Sequence, residues 1–164
     1  MTTPRAIRAA IPSDIAAVRT IALDTGLFTE DDWPDVEKIM SASVAGDLED
    51  HSWIVLEDDA ATVIGAAYYA PEPFSNHMWN LYFLGVLPSS QADGVGRTLV
   101  THVEDSLRAR GERVLIIETS SVESFEATRD FYARLGYDEE ARIREFYGPD
   151  DNKVIFWKAL YAET

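Results

Sequence analysis

The sequence predicts an α/β fold in a single domain, residues 1–164, with a mixed central sheet of about six to seven strands and about four flanking helices. Three observations support this fold class. The chain of 164 residues is 46% hydrophobic and 26% charged, which suits one domain with a full core. Runs of β-forming residues alternate with helical patterns along its length. No linker, internal repeat or low-complexity segment divides it.

The first part of the chain is predicted to form a short strand and two helices. The strand covers 5–10, and Pro12 with Asp14 gives a helix-start signal, because proline and an acid both suit a first turn. This helix ends at Gly26, and a second helix runs from about Asp32 to Ala45. Apolar residues recur at helical spacing in both: Ile15, Val18, Ile21 and Ala22, then Trp33, Val36, Ile39, Met40 and Val44.

The central stretch, from Trp79 to Gly111, is predicted to form a strand, a loop and a helix. An apolar run over 81–87 ends at Pro88 and is typical of a buried strand. A polar loop over 89–93 follows, and the glycine-bearing stretch 94–97 opens an amphipathic helix. Because a helix N-terminus exposes backbone N–H groups, this order of elements favours phosphate binding.

Further β-forming runs lie on both sides of this centre. Strands over 52–57 and 62–70 flank a turn-like stretch and predict an antiparallel hairpin. A strand over 113–120, joined to the central strand by a helix, implies a parallel pair. The remaining predicted elements are a helix over 124–135, ended by Gly136, and strands over 137–143 and 154–160 around a loop at 148–152.

Charge and composition exclude several functional classes. The chain has 29 acidic and 14 basic residues, a formal net charge of −15, so we expect no nucleic acid and no membrane as partners. The same charge suits a cationic amine, although solubility alone is an equally good explanation. The absence of cysteine excludes disulfides, thiolate metal sites and cysteine nucleophiles. Without an apolar signal core or membrane-length run, the sequence predicts a cytoplasmic protein.

The loop pattern Gln91-x-x-Gly94-x-Gly96 differs from two common glycine motifs. A P-loop requires Lys-Ser/Thr after its second glycine, and a dinucleotide fingerprint requires a third glycine. The pattern resembles the acetyl-CoA loop of the GNAT superfamily of N-acetyltransferases. Two further blocks resemble that superfamily in the same order: the stretch 131–137 (FYARLGY) and the tail 145–153 (EFYGPDDNK).

This resemblance implies a site for acetyl-CoA on the central strand, loop and helix. Loop amides would surround the pyrophosphate, and strand backbone groups would contact the pantetheine arm and the acetyl carbonyl. Asp93 departs from the family pattern, and we expect its side chain to point to solvent, because a carboxylate beside a pyrophosphate is unfavourable. The predicted cofactor-binding residues are Leu84, Gly85, Val86, Gln91, Ala92, Asp93, Gly94, Val95, Gly96, Arg97 and Thr98.

The resemblance also implies catalytic residues. Tyr132 is the candidate general acid, since a tyrosine at this place in similar enzymes lies near the cofactor sulfur. The stretch 79–82 (WNLY) lacks the glutamate that many relatives carry there, and Glu118 near the next strand end is our candidate general base. The candidate acceptor-binding residues are Phe28, Glu30 and Tyr147, and the loop residues Glu72 and His77 are weaker candidates. The three histidines have no metal-ligand spacing, so no metal is predicted.

These observations predict an N-acetyltransferase that moves an acetyl group from acetyl-CoA to an amine of a small molecule or protein, by direct attack in a ternary complex. One alternative is an acyl-CoA-binding regulatory module without catalytic activity, favoured by the missing glutamate and by Asp93. A second is a structural or toxin-neutralising partner protein that binds no cofactor. The resemblance also allows a homodimer.

Overall fold

The structure, a computed structural model, describes residues 5–162. Within this range the chain forms seven strands, four α-helices and three short 3₁₀ turns. The strands are β1 (Ala6–Ala9), β2 (Ser52–Glu57), β3 (Val63–Pro71), β4 (Met78–Val86), β5 (Val114–Ser120), β6 (Asp138–Gly148) and β7 (Asp151–Ala159). The helices are α1 (Ile15–Asp24), α2 (Trp33–Val44), α3 (Val95–Ala109) and α4 (Glu126–Arg134).

The strands form one mixed sheet in the order β1-β2-β3-β4-β5-β7-β6. β4 and β5 are parallel, whereas β1 with β2, β2 with β3, β5 with β7 and β6 with β7 are antiparallel. The prediction of a mixed sheet of six to seven strands with about four helices is therefore confirmed. The helix α3 lies between β4 and β5 in the chain. Parallel strands need such a crossover connection.

The chain divides into two compact units. Unit 1 comprises Met1–Ala70 and Phe83–Val103, and unit 2 comprises Pro71–Tyr82 and Glu104–Thr164. The division falls within β4 and within α3. The prediction of a single domain stays a prediction.

The core of unit 1 lies between α1, α2 and one face of β2 and β3. Because side chains alternate along a strand, every second residue of these strands reaches that face. The buried core residues are Ala10, Val18, Ile21, Ala22, Trp33, Met40, Trp53, Val55, Ala66, Tyr68, Ala70 and Phe83. Trp53 and Tyr68 stack with ring centroids 4.6 Å apart and an interplanar angle of 6°. Aromatic stacking thus joins β2 to β3.

Two glycines in unit 1 are needed for close packing. A Cβ at Gly65 would lie 2.8 Å from Val95 Cγ1 and 3.0 Å from Leu99 Cδ1, so the first turns of α3 pack directly against β3. A Cβ at Gly85 would lie 2.6 Å from Ile21 Cγ2, so α1 packs against β4 at that residue. A side chain at either position would displace a helix from the sheet.

The core of unit 2 surrounds β5. All four residues from Val114 to Ile117 are buried, as expected for a strand with a parallel neighbour on one side and an antiparallel neighbour on the other. α4 packs Tyr132 against Phe156 of β7, with ring centroids 5.7 Å apart. The strand β6 is exposed from residue 138 to residue 147.

Three predicted boundaries were wrong by several residues. β4 begins at Met78, because Met78 to Leu81 pair with Val114 to Ile117, and the sequence prediction began only at Leu81. β6 and β7 extend to a tight connection at Pro149 and Asp150, where a longer loop was predicted. The exposed face of β6 gave no alternating apolar pattern from which its length could be predicted.

None of the helices within residues 5–162 is both long enough and apolar enough to span a membrane. In the same part of the chain, no group of three or more histidine, aspartate or glutamate side chains is arranged to hold a metal ion.

Candidate functional site

The start of α3 in unit 1 has the geometry of an anion site. A 3₁₀ turn, Pro88–Asp93, follows β4, and Gly94 then takes a left-handed conformation with φ 75°. The N–H of Thr98 donates to the Gly94 carbonyl over 3.1 Å and is the first donor of the helix, so the N–H groups of Val95, Gly96 and Arg97 have no acceptor within the helix. A Cβ at Gly94 would meet nothing within 4 Å, so this turn is open for a phosphate to approach.

Side chains around this turn keep it in place. Gln91 Nε2 donates to the Val86 carbonyl over 3.2 Å, which ties the 3₁₀ turn back to the end of β4. The Thr98 hydroxyl donates to the Gly94 carbonyl over 3.0 Å. Arg97 is exposed and forms no hydrogen bond or ion pair with any other residue in the described part of the chain. Its guanidinium therefore adds uncompensated positive charge beside the turn.

Asp93 is oriented as expected. Its carboxylate is 55% exposed and lies 3.5 Å from the Arg5 guanidinium, measured from Oδ2 to Nη2. Arg5 Nη1 also donates to the Asp93 carbonyl over 2.8 Å. A basic residue thus accompanies the one acidic side chain that departs from the family pattern in this loop.

The cofactor-binding residues predicted on β4 are held in place by packing and by one hydrogen bond. Gly85 is buried, and Leu84 and Val86 are half-buried. The close approach that Gly85 permits is to Ile21 of α1, and the Val86 carbonyl already accepts from Gln91. Their predicted contacts with the pantetheine arm and the acetyl carbonyl stay a prediction.

The predicted acceptor residues in the loop after α1 have partners within unit 1. Phe28 is half-buried and stacks on Phe83 of β4, with centroids 6.0 Å apart and planes at 10°. Phe28 thereby packs against the core of unit 1. Glu30 is 70% exposed and pairs with Arg19.

Tyr132 lies on α4 in unit 2 and is 5% exposed. Its ring packs edge-on against Tyr137, with centroids 6.2 Å apart. Burial raises the pKa of the Tyr132 phenol above its ordinary value, because ionisation would place a charge in an apolar environment. Its hydroxyl forms no hydrogen bond with other residues in the range 5–162. Tyr132 is therefore a phenol that stays protonated at neutral pH, as a proton donor must.

Glu118 on β5 belongs to a side-chain network in unit 2. Its Oε2 is 2.8 Å from Lys153 Nζ, and its Oε1 accepts from Asn80 Nδ2 over 3.0 Å. The same Asn80 Nδ2 donates to Glu72 Oε2 over 3.2 Å, and the Tyr82 hydroxyl donates to that oxygen over 3.0 Å. We call Glu72, Asn80, Tyr82, Glu118 and Lys153 the carboxylate cluster.

An aromatic pair on β6 borders this cluster. Lys153 Nζ lies 3.4 Å from the centroid of the Phe146 ring, a cation–π contact. Tyr147, predicted as an acceptor-binding residue, contacts Phe146 edge-on at 5.0 Å between centroids. Burial and the negative charges of Glu118 and Asp151 raise the pKa of Tyr147 to about 12. Tyr147 and Glu118 thus lie in one electrostatic environment.

Glu118 and Glu72 were candidates from the sequence, whereas the other three residues of the cluster had no predicted role. Asn80 was considered only as the position where a glutamate is missing, although it is fully buried and joins two carboxylates. Lys153 was assigned to a tail motif and given no role. One signal was available in the sequence, because Lys153 directly precedes the apolar run that starts at Val154. A lysine so close to a buried strand is expected to have an acidic partner, since lysine is rarely buried unless it is paired.

The sequence and the fold both match known proteins. The profile of the acetyltransferase (GNAT) family matches residues 16–137. A GNAT-family protein of Desulfovibrio desulfuricans shares the fold with a TM-score of 0.87 and 29% identity, over 96% of this chain and 100% of that chain. No curated protein sequence matches the chain.

Two more distant structures share the fold. The Salmonella typhimurium protein YncA, whose structure contains its cofactor acetyl-CoA, has a TM-score of 0.78 and 21% identity, over 99% of this chain and 97% of that chain. The ribosomal-protein-S18-alanine N-acetyltransferase of Escherichia coli has a TM-score of 0.77 and 20% identity, over 98% and 97%.

The family match contains the loop pattern that begins at Gln91 and the helix motif that contains Tyr132. The mixed seven-stranded sheet agrees with it. The chain therefore belongs to the acetyltransferase (GNAT) family.

Proposed function

We propose that this protein is an N-acetyltransferase that transfers an acetyl group from acetyl-CoA to an amine of a small molecule or protein. The observation that carries the proposal is the start of α3, where an open left-handed Gly94 leads into a helix whose first N–H groups have no acceptor within the helix. In a GNAT chain, this geometry fits the pyrophosphate of coenzyme A.

The proposed cofactor site follows β4, the 3₁₀ turn and α3. Backbone groups of Leu84, Gly85 and Val86 would contact the pantetheine arm and the thioester. The N–H groups and side chains of the following turn would hold the pyrophosphate, with Arg97 adding positive charge. The turn residues included in this proposal are Gln91, Ala92, Asp93, Gly94, Val95, Gly96, Arg97 and Thr98.

The proposed reaction is a direct attack in a ternary complex. The acceptor loses one proton to a carboxylate of the cluster that contains Glu118, and the neutral nitrogen forms a bond to the thioester carbon. The carbon–sulfur bond then breaks, and its electron pair goes to sulfur. Tyr132 protonates the departing thiolate and recovers a proton from the nitrogen or from solvent. The products are an amide, free CoA and one released proton.

Tyr132 suits the role of general acid because its phenol is neutral and its ring is fixed by aromatic packing. A positioned acid contributes about 10²–10⁴-fold to a rate. Phe28, Glu30 and Tyr147 stay proposed acceptor-binding residues, and the acidic balance of the chain favours a cationic acceptor.

Thermal unfolding with acetyl-CoA tests the cofactor site, with ATP as the control ligand. A ligand that binds only the folded state at about 100 times its Kd adds about 2.7 kcal/mol to the free energy of unfolding. We expect acetyl-CoA and CoA to raise the midpoint and ATP to leave it unchanged. No shift at millimolar acetyl-CoA would overturn the proposal and favour a partner protein without cofactor.

Turnover is measured by the thiol released as CoA, and the absence of cysteine from the chain removes the background of a thiol reagent. Tyr132→Phe keeps the ring and removes the hydroxyl. We expect its kcat to fall about 100-fold while acetyl-CoA binding is unchanged. Tyr161→Phe is the matched control, because Tyr161 is 50% exposed. Binding of acetyl-CoA without turnover of any amine would instead favour the regulatory module.

A further inference from the structure

We infer that Glu72, and not Glu118, is the carboxylate that binds the acceptor's ammonium group and takes its proton. This inference rests on the proposed function and names the base of that reaction. It assigns a cationic amine, protonated in solution, as the class of acceptor. Glu118, Asn80 and Tyr82 then act as positioning residues.

The two carboxylates of the cluster differ in which oxygens are occupied. In Glu118 both oxygens have partners, since Oε1 accepts from Asn80 and Oε2 contacts Lys153 at 2.8 Å. In Glu72 both donors, Asn80 Nδ2 and the Tyr82 hydroxyl, reach the same oxygen, Oε2. Glu72 Oε1 accepts no hydrogen bond from the described residues. Glu72 therefore keeps one oxygen for an N–H of the acceptor.

The charges of the cluster lead to the same assignment. Glu118 is compensated by Lys153, whose ammonium also lies over the Phe146 ring. Glu72 has only neutral hydrogen-bond partners, and no cationic side chain of residues 5–162 forms an ion pair with it. A protonated amine would supply that cation, whereas at Glu118 it would have to displace Lys153 first.

Asn80 supplies a second, independent observation. The residue is fully buried, and its Oδ1 has no hydrogen-bond partner among residues 5–162. An unsatisfied buried carbonyl is unfavourable, yet its Nδ2 is directed at both carboxylates. Asn80 thus places a hydrogen-bond donor between Glu72 and Glu118, while its own carbonyl oxygen stays without a partner among the described residues.

The main chain fixes Glu72 where the loop after β3 begins. Its N–H donates to the Met78 carbonyl over 2.9 Å, and its carbonyl accepts from the Ser75 hydroxyl over 2.7 Å. Its side chain is therefore presented from a closed turn. A base whose backbone and one oxygen are held in this way needs little rearrangement when the amine arrives.

The proton transfer conserves atoms and charge. The ammonium nitrogen donates one proton to Glu72 Oε1 and becomes a neutral amine, while the Glu72 carboxylate becomes a carboxylic acid. The lone pair released on nitrogen forms the new bond to the thioester carbon. Glu72 returns its proton to solvent after the amide leaves, so each turnover releases one proton in total.

Steady-state kinetics of Glu72→Gln and Glu118→Gln over pH 6.5–10 test the assignment. The assay uses acetyl-CoA with three probe amines: an alkyl diamine, a free amino acid and a peptide with a free N terminus. We expect Glu72→Gln to lower kcat/KM about 100-fold at pH 7.5, with activity recovering toward wild type as the pH approaches the pKa of the amine. Glu118→Gln should lower it about tenfold and keep the wild-type pH profile.

Glu139→Gln is the matched control, since Glu139 pairs with Arg142 on β6, away from the carboxylate cluster. Stabilisation by acetyl-CoA, measured on every variant, shows that the fold and cofactor site are intact. The assignment is overturned if Glu72→Gln keeps wild-type activity and pH profile, or if Glu118→Gln shows the recovery at high pH. Absence of turnover by the wild-type protein would overturn the proposed function itself, a different result.

Discussion

Each unit contains a network of one cation and two carboxylates, and the two networks differ in where the cation lies. In unit 1, Arg8 contacts both acids. Its Nη1 and Nη2 donate to the two oxygens of Asp14 over 2.7 and 3.0 Å. Its Nε and Nη2 donate to Glu57 Oε1 over 2.9 and 2.6 Å. The guanidinium therefore compensates two carboxylates that come from different parts of the chain.

In unit 2, Lys153 contacts only one of the two acids. It pairs with Glu118, and Asn80 connects Glu118 to Glu72 without adding charge. An ammonium on a flexible stem lacks the fork of five donors with which a guanidinium reaches two partners. The result is one compensated and one uncompensated carboxylate.

This difference separates a network that holds a fold from one that can bind a ligand. The Arg8 network has its charges paired internally and joins β1, β2 and the turn before α1. The Lys153 network leaves Glu72 for an external cation. Removing the charge of an internally paired residue, Arg8 or Lys153, should therefore lower stability, whereas removing the charge of Glu72 should lower activity with little effect on stability.

The largest effect on stability is expected for Arg8→Met. Asp14 is 5% exposed, and removing its cation leaves a buried carboxylate without compensation. Breaking a buried ion pair from one side costs about 3–5 kcal/mol, and we expect about 3 because Glu57 stays partly hydrated. Urea unfolding at pH 7 measures the change. A loss below about 1 kcal/mol would show that the network is only a surface ion pair.

Lys153→Met should have the next largest effect. Lys153 is 9% exposed, but the Glu118 side chain is 22% exposed, so water moderates the loss and we expect about 2 kcal/mol. The double variant Lys153→Met with Glu118→Gln should recover about half of it, since no unpaired charge remains. Equal destabilisation of the single and double variants would contradict the pairing.

The start of α3 could be predicted from the sequence, because its signals are contiguous. A strand, a turn and a helix follow one another within the stretch that ends at Gly111, and glycine at position 94 is required by a positive φ that other residues rarely adopt. Local rules therefore predicted both the elements and the glycine turn that opens the helix, whereas anion binding there stays a prediction. The fold class followed from the same alternation of helical and β-forming patterns.

The carboxylate cluster could not be predicted in this way. Asn80 and Glu118 are 38 residues apart and meet only because β4 and β5 pair in parallel, with Asn80 opposite Ile116. Lys153 reaches Glu118 through the register of β5 with β7, in which Glu118 pairs with Ile155 and Ser120 with Lys153. Register between distant strands depends on the whole sheet, and the sequence alone does not state it.

Asp14→Asn tests the unit 1 network through pH. The hydrogen bonds from Arg8 hold the pKa of Asp14 below its ordinary value, against the opposing effect of burial. A lowered folded-state pKa gives stability that is present above the unfolded pKa of about 3.9 and lost as the pH falls through the folded value. We expect the variant to lose about 1.5 kcal/mol at pH 6.

Unfolding measured from pH 6 down to pH 2 checks this sign. The difference between wild type and Asp14→Asn should shrink below about pH 4, as the wild-type carboxylate becomes protonated. A difference that stays constant down to pH 2 would mean that packing, and not charge, causes it.

The smallest effect on stability is expected for Glu72→Gln, compared with Glu57→Gln. The amide that replaces the Glu72 carboxylate would still offer an oxygen to Asn80 and Tyr82, and no cation loses a partner, so we expect a change within about 0.5 kcal/mol. Glu57→Gln removes a charge beside Arg8 and should cost about 1 kcal/mol. Because a residue kept for an external ligand contributes little to the fold, equal losses in the two variants would argue that Glu72 is structural.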